Sequence, residues 1–404
     1  MACSSQLGGT VTRESPRFPV RVYYPAAHGP LQQPAYIDRS VWRAVARAVL
    51  GRAPGFIFSH LPHIQIDLAE DAPLHPSAEN LPVVVFSHGN SGLPAIYWTM
   101  ISNFVQAGHV VICPEHNDGS AASVRLQDGS THDYERPDEK FAGVTDPAER
   151  KLLQDKWRRQ QLKRRVAEAI ASMDWVLRNV ADKSTRWYQA ADPNQLAYVG
   201  HSFGGATAVV AAEQDPRASV CAAFDCWAEA SGPIDPKMLD TGISRCPTLL
   251  VQCEAWVGGA VDKTLQAHLL TPWEKKGHPA NLMWIAEKAG HSNFTDFPLL
   301  APMLVRLLRQ AGAVNGTKCM QATLRQTLEC VRLKPSVFQH PYHCSVVVTD
   351  CMHGATCRFF ELHFKPAAER PSLRQGAGEV ENRRFPTLAP ETQRRWWQFP
   401  SRAF

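Results

Sequence analysis

The chain has 404 residues, 44% apolar and 20% charged, with a formal net charge of +5. Such a composition excludes a disordered or fibrous chain and supports a sizeable globular core. No run of about eighteen apolar residues occurs, which excludes a membrane-spanning helix.

The opening stretch MACSSQLGGTVTRESP has no apolar run of signal-peptide length, and Ala2 stands where myristoylation requires glycine. The eleven cysteines are odd in number and lack framework spacing. Cys113 and Cys253 sit in strand-like apolar runs, so free thiols in a reducing compartment, the cytosol, are expected.

In chain order, FPVRVYYP (18–25) alternates well enough for an edge strand. SVWRAVARAVLG (40–51) opens on a capping serine and closes on glycine, the signature of a short helix. Val41, Val45, Ala48 and Val49 share one face of it, and Arg43 and Arg47 another. The unbroken apolar run LPVVVFSHG (81–89) reads as a strand buried on both faces of a parallel sheet. YWTMISNFVQAG predicts a helix ending at Gly108, and HVVICPEH the next buried strand. Residues 117–148 are polar and irregular and read as a long surface loop. From residue 147 to about 180 a highly charged stretch predicts a long helix with one apolar side. LAYVG, ATAVVAAEQ, SVCAAFD, PTLLVQCE, LMWIAE and the helical FPLLAPMLVRLLRQAG complete an alternation that predicts a doubly wound α/β fold.

A boundary is expected near residue 313, separating a catalytic unit, 1–312, from a loop-like extension, 313–404. That extension holds 13 Lys+Arg against 7 Asp+Glu, so it carries +6 and the remainder about −1. Its charge suits contact with an anionic lipid surface; without a recognisable binding motif, nucleic acid is not expected. Within it, His343, Cys344, Cys351, His353 and Cys357 fit no usual zinc spacing, and no metal is expected there.

Gly200-His201-Ser202-Phe203-Gly204 matches G-x-S-x-G, a pattern short enough to arise by chance. Its context is what counts. A strand (LAYV) feeds the serine and a helix (ATAVVAAEQ) follows, the arrangement that strains a nucleophile's backbone and presents its hydroxyl. Ser202 is therefore the expected nucleophile, with the positive end of the helix aimed at the developing oxyanion. The backbone amide of Phe203 is the expected first oxyanion donor, and that of Asn90 in FSHGNSG the second. The base should follow the last strand, and His291 in EKAGHSNFTDF does. His88 and His201 flank the proposed donors and are expected to support them. Two strand ends offer the acid, Asp225 in CAAFDCW and Glu254 in LLVQCEAW, and order and spacing permit either.

The segments VVVFSHGNSG, EHNDGSAA, GHSFGGATAV, AAFDCW and GHSNFTDF, in that order, resemble the platelet-activating factor acetylhydrolases of the secreted and type II intracellular group. The resemblance runs from about residue 18 to 312. It implies an α/β-hydrolase fold and calcium-independent hydrolysis, without cofactor, of short or oxidised sn-2 acyl chains from phospholipids. The acetyl group of platelet-activating factor is among them. Carried over by motif, it puts the nucleophile at Ser202, the base at His291 and the oxyanion donors at Phe203 and Asn90. It also selects Asp225 over Glu254, a choice that rests on resemblance alone. This family more often has an apolar residue where Asn90 stands.

A phospholipid substrate implies contact with a lipid surface. The helix around Trp42 and the terminal Arg394, Arg395, Trp396, Trp397 and Phe399 are the candidate contacts for a cytoplasmic, peripherally bound protein. Two other functions fit the same motifs. One is a dienelactone-hydrolase-type carboxylesterase on small soluble esters; the other is a non-catalytic lipid-binding protein that kept the fold.

Overall fold

The computed structural model describes residues 2–7, most of 18–301, and 383–384; the longest breaks inside the main span are 28–34 and 229–241. Strands β1 (Ala2–Leu7), β2 (Pro19–Tyr24) and β3 (Ala69–Glu70) precede the central pair β4 (Leu81–Ser87) and β5 (Val110–Pro114). A small hairpin, β6 (Ser123–Arg125) and β7 (Thr131–Asp133), follows. Then come β8 (Ala191–His201), β9 (Ala218–Phe224), β10 (Thr248–Cys253), β11 (Leu282–Ala286) and β12 (Arg383–Arg384). Ten of these form one sheet in the order β12-β11-β10-β9-β8-β4-β5-β2-β1-β3.

All neighbours from β5 through β4 to β12 are parallel, while β2 runs antiparallel to both β5 and β1. β2 was expected at an edge and is interior, because β1 pairs along its whole length. Every residue of β4, β5 and β10 is buried, as their unbroken apolar runs require.

Helices cover both faces. Described are α1 (Trp42–Leu50), α2 (Trp98–Gln106), the short α3 (Pro137–Lys140), α4 (Pro147–Ala181) and α5 (Phe203–Gln214). One core packs β2, β4 and β8 side chains such as Val22, Val83 and Tyr198 beneath α4 and α5; the other packs Val84, Phe86 and Val199 beneath α1 and α2. The chain steps from β4 outward to β5, then crosses back along α4 to β8 on the other side of β4. That reversal makes the carboxyl ends of β4 and β8 the topological switch point, where open α/β sheets bind ligands.

Local structure differs from the sequence expectation in three places. Ser40 does not cap α1: its N–H and hydroxyl both turn to Asp38, and Val41 precedes the first turn. Gly51 closes that helix with a φ of 62°. The apolar side of α1 faces the core through Val45, Ala46 and Ala48, with Trp42 half-buried against it and Arg43 and Arg47 outward.

Residues 117–122 are buried, not surface loop. Polarity suggested exposure, but their polar groups are satisfied internally, as buried polar groups must be. Asp118 and Ser120 find their partners on the inner face of α4, whose expected apolar side, with Leu162, Val166 and Met173, also carries Arg158, Gln161, Arg165 and Glu168. The predicted helix beyond Ala301 and the candidate metal cluster lie outside the described residues. Among the described residues no helix is long and apolar enough to cross a membrane, Cys221, Cys226, Cys246 and Cys253 are free and buried, and Cys113 is buried in β5.

Candidate active site

The turn from β8 into α5 is held by close backbone approaches. A Cβ on Gly200 would lie 2.1 Å from the Gly204 carbonyl oxygen, and one on Gly204 only 1.9 Å from the Ser87 carbonyl oxygen. Both positions therefore admit only glycine. Between them Ser202 takes φ 60° and ψ −120°, a conformation that side chains other than glycine rarely adopt. The bend is locked by the Ser202 N–H donating to the Phe224 carbonyl (2.9 Å) and the Trp227 N–H donating to the Ser202 carbonyl (3.0 Å).

His291 opens the turn after β11. Its Nε2 lies 3.1 Å from Ser202 Oγ and its Nδ1 2.9 Å from Asp225 Oδ2. Asp225 follows β9 directly with a φ of 43° and is fully buried; its other carboxylate oxygen accepts from the Cys253 N–H. Glu254, the alternative acid, is exposed on the turn after β10. The imidazole of His291 is stacked on Trp256, ring centroids 4.1 Å apart and planes 16° from parallel, and the His201 ring lies 4.5 Å from it, tilted by 34°.

The two expected oxyanion donors stand on segments that adjoin the serine. Phe203 is the first residue of α5, where backbone N–H groups have no helical partner. On the loop after β4, the Gly89 N–H donates to Tyr97 Oη (2.9 Å) and the Ser91 N–H to the Ser120 carbonyl (2.7 Å). The Asn90 N–H between them makes no hydrogen bond among the described residues. A Cβ on Gly89 would come within 3.2 Å of Ser202 Cβ, so this loop abuts the serine.

Behind the loop, Arg165 is fully buried. Its guanidinium donates to the His88 carbonyl (2.7 Å) and Ser120 Oγ (2.8 Å), pairs with Asp118 (3.3 Å), and lies over the Phe203 ring at 4.5 Å. Next to it, His116 bridges Ser87 Oγ (2.7 Å) and Glu168 (2.8 Å). Burial, reinforced by Asp118, pushes the Glu168 carboxyl up to about 8. Burial, and then the charge of Arg165, holds His88 and His116 well below the ordinary histidine range. His201 is lowered chiefly by burial and then by His291, and so stays neutral. It joins Tyr97 Oη (2.8 Å) to the His291 carbonyl (3.1 Å).

Ligand-type atoms of His201, Asp225 and His291 all lie within 4.8 Å of one another, the closest approach to a metal cluster among the described residues. Both His201 nitrogens are turned to protein partners, so the group reads as a hydrogen-bonded relay.

A hydroxyl, an imidazole and a buried carboxylate in line, with unengaged amides beside them, is the equipment of acyl transfer. The family model described as platelet-activating factor acetylhydrolase, isoform II, matches residues 3–339. The chain belongs to this family. A platelet-activating factor acetylhydrolase of Cavia porcellus is 23% identical over 345 residues, spanning 81% of this chain and 74% of its own. A putative phospholipase A2 of Schizosaccharomyces pombe is 20% identical over 377 residues, spanning 78% and 83%. Among solved structures, a ferulic acid esterase from Streptomyces cinnamoneus superposes with a TM-score of 0.59 at 17% identity, over 85% of this chain and 93% of its own. That likeness shows the α/β-hydrolase fold. This family member is thus a carboxylic ester hydrolase in fold and kinship.

Sequence reading singled out Ser202, His291, Asp225, Phe203 and Asn90, and the fold brings all five to one place. It missed Trp256, Arg158 and Arg165. A signal for the arginines existed: positions 158, 161, 165 and 168 recur at helical spacing on the same side as the apolar residues of α4. Trp256 had no local signal, since only tertiary folding lays it on His291.

Proposed function

We propose that this protein hydrolyses the sn-2 ester of phospholipids carrying short or oxidised acyl chains, including the acetyl group of platelet-activating factor. Ser202 Oγ attacks the ester carbonyl while His291 Nε2 takes its proton. Asp225 holds the ring in orientation and stabilises the imidazolium. The amides of Phe203 and Asn90 receive the oxyanion. The lysophospholipid leaves with the proton from His291, and a water activated by the same imidazole releases the short acid.

The observation that supports this most is the 3.1 Å and 2.9 Å relay from Ser202 through His291 to Asp225, in a chain whose family is named for that hydrolysis. Peripheral contact with lipid from the cytoplasm belongs to the same proposal. Its candidate contacts are the outward Arg43, the helix around Trp42, the exposed Phe56 just beyond it, and the segment from Arg394 to Phe399. So does the division into a catalytic unit, 1–312, and a basic extension, 313–404. The test is a kinetic series of phosphatidylcholines with sn-2 chains from acetyl to palmitoyl on the purified protein. A steep fall in kcat/KM with unoxidised chain length supports the reading. Equal rates across the series, or no hydrolysis with no fluorophosphonate labelling of Ser202, would refute it.

A further inference from the structure

Arg158 is 7% exposed, yet every hydrogen-bond partner of its guanidinium is neutral: Gln161 Oε1 (2.7 Å), Asn90 Oδ1 (3.0 Å) and Tyr134 Oη (3.3 Å). No carboxylate lies within ion-pair distance of it among the described residues. A cation withdrawn from water without a counter-charge is costly, and such groups are kept where an anion comes to them. Its neighbour Arg165 already uses Asp118, so the pair carries surplus positive charge on this side of the molecule.

Where Arg158 sits matters as much as what it lacks. It holds the side chain of Asn90, whose amide is the second proposed oxyanion donor. Its guanidinium also lies 5.7 Å from the Trp227 ring, and Trp227 stacks edge-on against Phe203, the first donor. On its own helix it is seated on Trp157 at 4.3 Å, which fixes the plane of the fork. A guanidinium has five N–H groups, of which three hydrogen bonds are accounted for. The remainder suit the two oxygens of a phosphodiester or carboxylate.

We propose that Arg158 binds an anionic oxygen group of the substrate while the sn-2 ester lies at Ser202; this rests on the phospholipid reading above. The anion is the phosphodiester shared by every phospholipid, or the terminal carboxylate of an oxidised acyl chain. Either would complete the charge that Arg158 leaves open and hold the ester beside the oxyanion donors.

The test compares dibutyroyl phosphatidylcholine, below its aggregation limit, with 1,2-dibutyrin, which has the same sn-2 ester and no phosphate. In Arg158→Gln the ratio of kcat/KM for the charged over the neutral substrate should fall about tenfold, mostly through KM, the effect of losing one charge-assisted hydrogen-bonded contact. Arg158→Lys should recover part of the ratio, since charge returns without the fork. The wild-type protein decides the source. Dibutyl phosphate should compete with dibutyrin if the phosphodiester is bound, and hexanoate if the carboxylate is. An unchanged ratio in Arg158→Gln, as a purely structural arginine would give, overturns the proposal. Should that variant not fold, failure of both anions to compete overturns it instead. Wild-type cleavage of dibutyrin without any phospholipid hydrolysis would sink the phospholipid reading, and the competition arm would still judge Arg158.

Discussion

Trp256 lies flat on His291, centroids 4.1 Å apart and planes 16° from parallel, and the His201 ring packs against the same imidazole at 4.5 Å. The imidazole is therefore held by stacking as well as by its hydrogen bond to Asp225. Such contacts between rings contribute roughly 0.5–1.5 kcal/mol beyond burial. Trp256→Ala should lower kcat about three- to tenfold, while Trp256→Phe, which keeps a flat ring, should retain most of the rate. Steady-state kinetics on a soluble p-nitrophenyl ester measure this. Equal losses in both variants would mean the stacking does not orient the base.

The acid follows from geometry that spacing could not supply. His291 Nδ1 meets Asp225, and Glu254 sits exposed on the next turn. Asp225→Asn should reduce kcat by a factor on the order of 10³–10⁴, since the amide presents the wrong partner to the ring. Glu254→Gln should stay within about twofold of the wild type. The reverse pattern, on the same ester, would reassign the acid.

Much of this site was legible because its chemistry is tied to local chain geometry. Ser202 needs a strand before it and a helix after it, and Gly200 and Gly204 must lack side chains for the bend to close. His291 and Asp225 stand at strand ends, where sequence order limits the choice. What stayed hidden is long-range. Arg165 is 77 residues from the His88 carbonyl it binds, and His116 52 residues from Glu168. A charged residue reads as exposed unless its partners are known, so the stretch 117–122 passed for surface loop. The edge position expected for β2 failed likewise: nothing in FPVRVYYP announces that β1 will pair with it.

The glycine requirement makes a sharp prediction. A Cβ on Gly204 would meet the Ser87 carbonyl oxygen at 1.9 Å, and both atoms belong to backbone that cannot swing aside. Gly204→Ala should force β4 and α5 apart and leave little soluble, cooperatively folded protein. Thermal unfolding of whatever is recovered checks it. A melting temperature within a few degrees of the wild type would show that the turn can relax, contrary to expectation.

Stability should pass through a maximum near neutral pH. His88, His116 and His201 are held neutral in the fold, with pKa values depressed below the unfolded value of about 6.5. Their contribution is present above that pH and is lost as pH falls, because the unfolded chain takes up protons the fold refuses. Glu168 at about 8 and Asp296 at about 6 act oppositely. Each stabilises the fold at low pH, and that contribution is lost as pH rises through its folded value. Three histidines outweigh two acids below about pH 6.5, at about 1.4 kcal/mol per pH unit for each net proton, while Glu168 alone acts from there to about 8. Urea midpoints from pH 5 to 8.5 should rise and then decline, and Glu168→Gln should flatten the alkaline side. A midpoint that climbs steadily through pH 8 would contradict this.

Arg165 ties both sides of the proposed oxyanion hole to one buried charge. It donates to the His88 carbonyl behind the Asn90 loop and covers the Phe203 ring, while Asp118 neutralises it. Removing one member of a buried pair strands the other, at a cost of about 3–5 kcal/mol. Arg165→Met should therefore lose stability on that scale, and adding Asp118→Asn should recover part of it, because the stranded carboxylate is then neutral. Activity should not return with stability. The double variant restores charge balance but not the donor to the His88 carbonyl, so its kcat should remain below the wild type at a temperature where both are folded. Urea unfolding and kcat on the same preparations separate the two effects. A double variant with full kcat would show that Arg165 serves the fold alone, and that the loop carrying Asn90 keeps its place without the guanidinium behind it.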